Sequence, residues 1–201
     1  DYLAPFEVER VTVRLTPEEE TEYRRLYGVF TGYLRRRGLE MKGPEDFKKL
    51  VMLSNRDPEA RKALLARNKA LNIALNTRAK LEVLRRVLER YRDVPIIIFT
   101  QHNRLVYRIS KEFLVPAITH KTPKEEREEI LRGFGEGRYK VVVTSKVLDE
   151  GIDVPDATVA VILSGTGSAR EFVQRLGRVL RKKKGKKAKL IEVVTGGTVE
   201  T

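Results

Sequence analysis

Gln174, Arg178 and Arg181 are the residues in this chain best placed to do chemistry together. On a helix turning by about 100° per residue, they fall in one narrow stripe, and Phe172, Val173, Leu176, Val179 and Leu180 fall on the opposite side. Such a helix packs its apolar face on a core and holds one amide and two guanidiniums outward. Guanidinium is planar, permanently charged and forked, which suits phosphate oxygens. The plainer alternative is a solvated amphipathic face. Two observations weigh against it. Arginine occurs three times in seven residues, at 175, 178 and 181, and the chain then switches to lysine at 182, 183, 184, 186, 187 and 189. Solubility alone gives no reason for the switch.

Three other stretches bring polar groups to the ends of apolar runs. They are Thr100-Gln101-His102-Asn103, the segment from Thr144, Ser145 and Lys146 to Pro155, and Gly165-Thr166-Gly167-Ser168. Hydroxyls and backbone N–H groups of the second suit the phosphates of a nucleic acid, and Asp153 can accept hydrogen bonds from a ribose. Asp149, Glu150 and Asp153 suggest a metal site only superficially, because no histidine or fourth ligand lies nearby. Gly165 and Gly167 resemble half of a dinucleotide fingerprint. Arg170 replaces its third glycine, and lysines stand where the acidic residue belongs, so a nucleotide-cofactor enzyme is disfavoured. His102 and His120 read as positioning or structural residues, with His102 also a candidate contact to nucleic acid.

Composition narrows the partner. A net charge of +13 and a pI near 10.0 on a chain with 41% apolar residues describe a folded domain whose surface favours a polyanion. No apolar run approaches the roughly 18 residues of a membrane span. The first residues carry neither a basic segment nor an apolar one, so no signal peptide is expected. With no cysteine there is no disulfide framework or thiolate metal site. A reducing compartment is expected: the cytoplasm of a prokaryote, or the nucleus of a eukaryote.

These residues need elements to position them. Residues 6–15 alternate loosely and predict an opening strand. Thr16-Pro17-Glu18-Glu19 has the form of a capping box, with Gly38 as a natural stop. Gly43-Pro44 and Asp57-Pro58 open two further helices, so 16–76 is all helical. Arg35, Arg36 and Arg37 close the first of these helices, where they complement its dipole or meet a phosphate backbone. From 78 the pattern changes. An amphipathic helix on Leu81, Leu84, Val87 and Leu88 precedes the apolar run 95–99. Then come a helix over 103–114, a strand over 115–119, a helix opened by a second capping box at Thr122-Pro123-Lys124-Glu125, and strands at 140–144, 158–163 and 189–194. Alternation of this kind predicts an α/β parallel sheet with helices on both faces, in whose open edge ligands bind at the carboxyl ends of strands.

No G-x-x-x-x-G-K-[ST] phosphate loop is present, and no Asp-Glu-x-[AH] box follows any strand. What is present is S-K-V-x-D-E-G-I-D-V-P over 145–155, G-S-A-R-E over 167–171 and Q-R-L-G-R-V-L-R over 174–181. With Ile96–Asn103 and Thr119–Arg127, this set resembles motifs IV to VI of superfamily 2 helicases. Over nearly all 201 residues the chain resembles the C-terminal half of XPB-type DNA helicases. The resemblance implies a three-layer RecA-like domain over 1–201, with 16–76 as a thumb-like helical insertion that grips DNA. It implies Arg178 and Arg181 as arginine fingers, with Gly151, Asp153 and Gln174 meeting ATP. Thr100, Gln101, His102, Thr144, Ser145 and Lys146 would face nucleic acid. ATP and its Mg²⁺ would be held by the N-terminal helicase half, without which the chain is predicted to be inactive. DNA, that other half, and a repair nuclease or a transcription–repair complex are the implied partners. The alternative is a nucleic-acid-binding module without catalysis.

Overall fold

The computed structural model describes residues 6–145, 156–163 and 188–201. Its centre is a six-stranded sheet in which every pairing is parallel. The strands are β1 (Phe6–Val13), β2 (Ile96–Phe99), β3 (Ala117–Ile118), β4 (Val141–Thr144), β5 (Val159–Ile162) and β6 (Ala188–Thr195), in the spatial order β1-β6-β5-β2-β4-β3. β2 and β5 are buried at every residue. Alternate side chains of a strand point to opposite faces, so both faces of the sheet are covered and the domain has three layers. The expected α/β parallel architecture is therefore present. It gains an edge strand, because the opening strand pairs with β6 from Phe6↔Ala188 to Val13↔Thr195.

The helices are α1 (Pro17–Arg37), α2 (Pro44–Leu53), α3 (Pro58–Leu75), α4 (Thr77–Arg90), α5 (Asn103–Phe113) and α6 (Lys124–Gly135). On one face of the sheet, Ile97, Phe99, Val142, Ala160, Ile162 and Leu190 pack with Ile130, Leu131 and Phe134 of α6. Gly133 lets α6 approach closely: a Cβ there would lie 2.5 Å from the ring of Tyr139. On α4, Leu81, Leu84 and Val87 are buried as expected, while Leu88 is only half-buried.

Two compact units make up the chain. One holds the sheet, with residues 1–13, 77–196 and 200–201; the other holds residues 14–76 and 197–199. In the helical unit, the capping box at Thr16 forms with both bonds, Thr16 N to Glu19 Oε1 at 2.9 Å and Glu19 N to Thr16 Oγ1 at 3.2 Å. Gly38 ends α1 in the left-handed region, where glycine escapes the Cβ clash. Phe30, Tyr33, Leu50, Ala60, Ala63 and Leu64 form one core cluster, and Arg67 lies over Phe47 at 4.6 Å and Phe30 at 5.6 Å. Arg37 stays exposed and is engaged within its own unit, paired with Asp57 and Glu59 and lying over Tyr33.

One expectation is corrected. No capping box forms at Thr122. Pro123 occupies the N-cap of α6 without a side-chain bond. The Thr122 hydroxyl instead accepts the amide of Thr119 at 2.9 Å, closing the turn after β3. A threonine hydroxyl offered two nearby amides serves whichever the preceding turn brings to it.

Candidate nucleic-acid interface at the carboxyl edge of the sheet

Strands β2, β3 and β4 end side by side, and their exits bring together residues that sequence separates widely. Thr100 follows β2 and donates its amide to the carbonyl of Thr144 at 3.2 Å; Ser145 follows β4 and donates its amide to Ile118 of β3 at 3.1 Å. Side chains then link the exits. The Ser145 hydroxyl donates to Asn103 Oδ1 at 2.6 Å, and Asn103 Nδ2 stands 3.0 Å from His120 Nδ1. With the amide so oriented, Nδ1 of His120 accepts and its Nε2 carries the proton.

The expected nucleic-acid residues divide by exposure. Thr100, Thr144 and Ser145 have buried side chains. The Thr100 hydroxyl accepts the amide of His102 at 3.3 Å, and that of Ser145 is used on Asn103. Thr144 Oγ1 is buried with no hydrogen-bond partner among the described residues. Gln101 is half-buried and His102 is exposed. His102 is the N-cap of α5, and its side chain makes no capping bond. Its side chain reaches solvent, yet enough protein surrounds the ring for desolvation to lead the causes that hold its pKa below the ordinary value. The positive charge of Lys80 adds to this, and Glu200 opposes it. His102 therefore enters the neutral range as a hydrogen-bonding group rather than a cation.

Behind this edge lies a group that the sequence reading passed over. Lys80 is fully buried, and its ammonium donates to both oxygens of Glu200, at 2.6 and 2.8 Å, and to the carbonyl of Leu163 at 3.0 Å. Burial pulls its pKa down, and the Glu200 charge and hydrogen bond pull it back. The signal was available: Lys80 shares the i, i+4, i+7 stripe of α4 with Leu84 and Val87. Lys146, Gly151, Asp153, Gln174, Arg178 and Arg181 lie outside the described residues, as does the Gly165–Ser168 turn. Among the described residues, no group of three or more His, Asp and Glu could hold a metal ion. No described helix is long and apolar enough to cross a membrane.

The helicase conserved C-terminal domain family matches residues 79–183, just over half of the chain and all of it beyond the helical stretch 14–76. This chain belongs to that family. Among relatives, this helicase C-terminal domain is similar to the DNA 3'-5' translocase XPB2 of Sulfurisphaera tokodaii, 49% identical over 199 residues, covering 99% of the chain and 45% of that relative. It is 32% identical over 134 residues to the DNA 3'-5' helicase XPB of Mycobacterium tuberculosis, covering 66% of the chain and 23% of that relative. The chain thus spans less than half the length of these curated relatives. In fold alone, it is like the C-terminal domain of the Sulfolobus solfataricus SWI2/SNF2 ATPase, with a TM-score of 0.62 at 18% identity, over 98% of this chain and 82% of that one. The XPB-type resemblance read from motifs IV to VI agrees with these relationships.

Proposed function

We propose that this helicase C-terminal domain serves as the second half of an ATP-driven DNA translocase that works in repair or transcription. The observation that carries the reading is the 49% identity, across 99% of the chain, to a DNA 3'-5' translocase. In this reading the partner half holds ATP and Mg²⁺, and Arg178 and Arg181 stabilise charge developing on the γ-phosphate. Gln174, Gly151 and Asp153 line the nucleotide. The carboxyl edge of the sheet takes the DNA backbone, through Gln101, His102, Lys146 and the first turn of α5. Thr100, Thr144 and Ser145 shape that edge from within. A positive helix terminus and neutral donors suit phosphate contact without sequence preference. Unit 14–76 is the thumb-like grip, in which cations outnumber carboxylates. The partners are DNA, the N-terminal helicase half, and a repair nuclease or a transcription–repair complex. The place of work is the cytoplasm of a prokaryote or the nucleus of a eukaryote.

The test is ATP turnover by the full-length protein at saturating DNA. Arg178→Ala and Arg181→Ala should each lower turnover by roughly 10³-fold or more. Arg178→Lys should stay severely impaired, because lysine keeps the charge and loses the planar fork. Turnover like wild type in both alanine variants would overturn the translocase reading and leave a non-catalytic nucleic-acid-binding module.

A further inference from the structure

We propose that the buried Lys80–Glu200 pair is a positioning device for the exit of β5, and hence for the arginine-bearing segment that follows it in sequence. The role in turnover rests on the function proposed above; the role in ordering the β5 exit does not.

The geometry is specific. One ammonium serves three oxygens, two from the Glu200 carboxylate and one from the carbonyl of Leu163, the residue directly after β5. Glu200 Oε1 also accepts the amide of Thr195, the last residue of β6, at 2.9 Å. The pair therefore ties the first turns of α4 to the carboxyl ends of two adjacent strands. These are the ends at which open α/β sheets do their chemistry. Leu163 is the last described residue before the stretch that carries Gln174, Arg178 and Arg181.

Stability alone does not explain such a pair. Taking two charges out of water costs several kcal/mol per ion, and a well-packed apolar pair of similar volume is often as stable or more so. An apolar pair has no direction, however. It cannot hold a strand-end carbonyl at a fixed place, whereas an ammonium with three donors can. The two residues also occupy telling places in the chain. Lys80 comes four residues after Asn76, where the chain leaves the helical unit, and Glu200 comes directly after Val199, where it leaves that unit a second time.

The experiment compares wild type, Lys80→Met and the double variant Lys80→Met with Glu200→Leu, all in the full-length protein. Lys80→Met leaves the buried Glu200 carboxylate without its cation and should melt lower. The double variant should melt cooperatively and no lower than Lys80→Met. At saturating DNA its kcat should fall roughly tenfold or more, with the KM for ATP and the affinity for duplex DNA unchanged, as expected for misplaced rather than missing groups. Peptides beginning at Leu163 should exchange amide hydrogen faster, while β2 and β5 stay protected. Wild-type kcat together with wild-type exchange in the double variant would overturn the proposal. So would loss of its cooperative melt, since the pair would then hold up the fold itself. If wild-type full-length protein hydrolyses no ATP, the proposed function fails. Amide exchange then decides the positioning role alone, with faster exchange after Leu163 upholding it and unchanged exchange overturning it.

Discussion

Ser145 donates its hydroxyl to Asn103 Oδ1 at 2.6 Å, across 42 residues of sequence. The bond joins the residue after β4 to the first residue of α5, and the same asparagine amide reaches His120 after β3. One side chain thus sets the spacing of three strand exits at the edge proposed to receive DNA.

Asn103→Ala should therefore cost more than an exposed asparagine. It leaves the buried Ser145 hydroxyl without its acceptor, a loss of about 1–3 kcal/mol. Thermal melting of the isolated chain measures this, and Asn103→Ala with Ser145→Ala should regain part of it. In wild type, ¹⁵N spectra should show the neutral His120 ring with its proton on Nε2. A proton on Nδ1 would mean that the asparagine amide faces the other way.

The helical unit should be separable from the sheet in function. Replacing residues 14–76 by a short Gly/Ser linker should leave a cooperative melt, because the sheet core draws its buried residues from outside that stretch. Affinity for duplex DNA should fall several-fold, and the salt dependence should become shallower as phosphate contacts are lost. Unchanged affinity would remove the helical unit from the DNA grip, and loss of the melt would make it part of the core.

A pH dependence follows from Glu9 and Lys189, which meet at 2.6 Å across the β1–β6 pairing. The hydrogen bond from Lys189 leads the causes that lower the Glu9 pKa, with burial opposing it and the Lys189 and Arg90 charges adding to it. The bond to Glu9 leads the causes that raise the Lys189 pKa. For the carboxylate, the unfolded chain binds its proton more tightly. Its contribution is therefore complete above the ordinary value of about 4.3 and lost as pH falls through the folded value. For the lysine, the contribution is complete below about 10.4 and lost as pH rises through the folded value. Melting curves of Glu9→Gln against wild type should differ on the plateau between these limits and converge in acid. A difference that persists at pH values well below the carboxylate range would assign the effect to packing.

What could be read in advance follows the range of the interactions. The capping box at Thr16 closes within four residues, and it forms as expected. The short runs at 95–99, 140–144 and 158–163 are dominated by β-branched residues and suit a buried strand, and they contain β2, β4 and β5. The cap at Thr122 failed because Thr119, on the other side of its turn, took the hydroxyl. Lys80 could not be interpreted from α4 alone, since its carboxylate lies 120 residues away. The same holds for the exits of β2, β3 and β4: the rule for open sheets indicates the edge, but only the pairing of the strands brings Asn103, His120 and Ser145 together.

The pairing of Phe6 with Ala188 has a consequence for how the chain acquires its shape. Contacts within 14–76 join residues closer in sequence, whereas joining β1 to β6 closes a loop of nearly the whole sequence, an ordering cost met before any contact repays it. During synthesis β1 is made well before its mate β6. It must wait as a lone strand while everything between is made. Its sequence suits that wait: Glu7, Glu9 and Arg10 put charge on a strand that would otherwise invite the edge of another molecule.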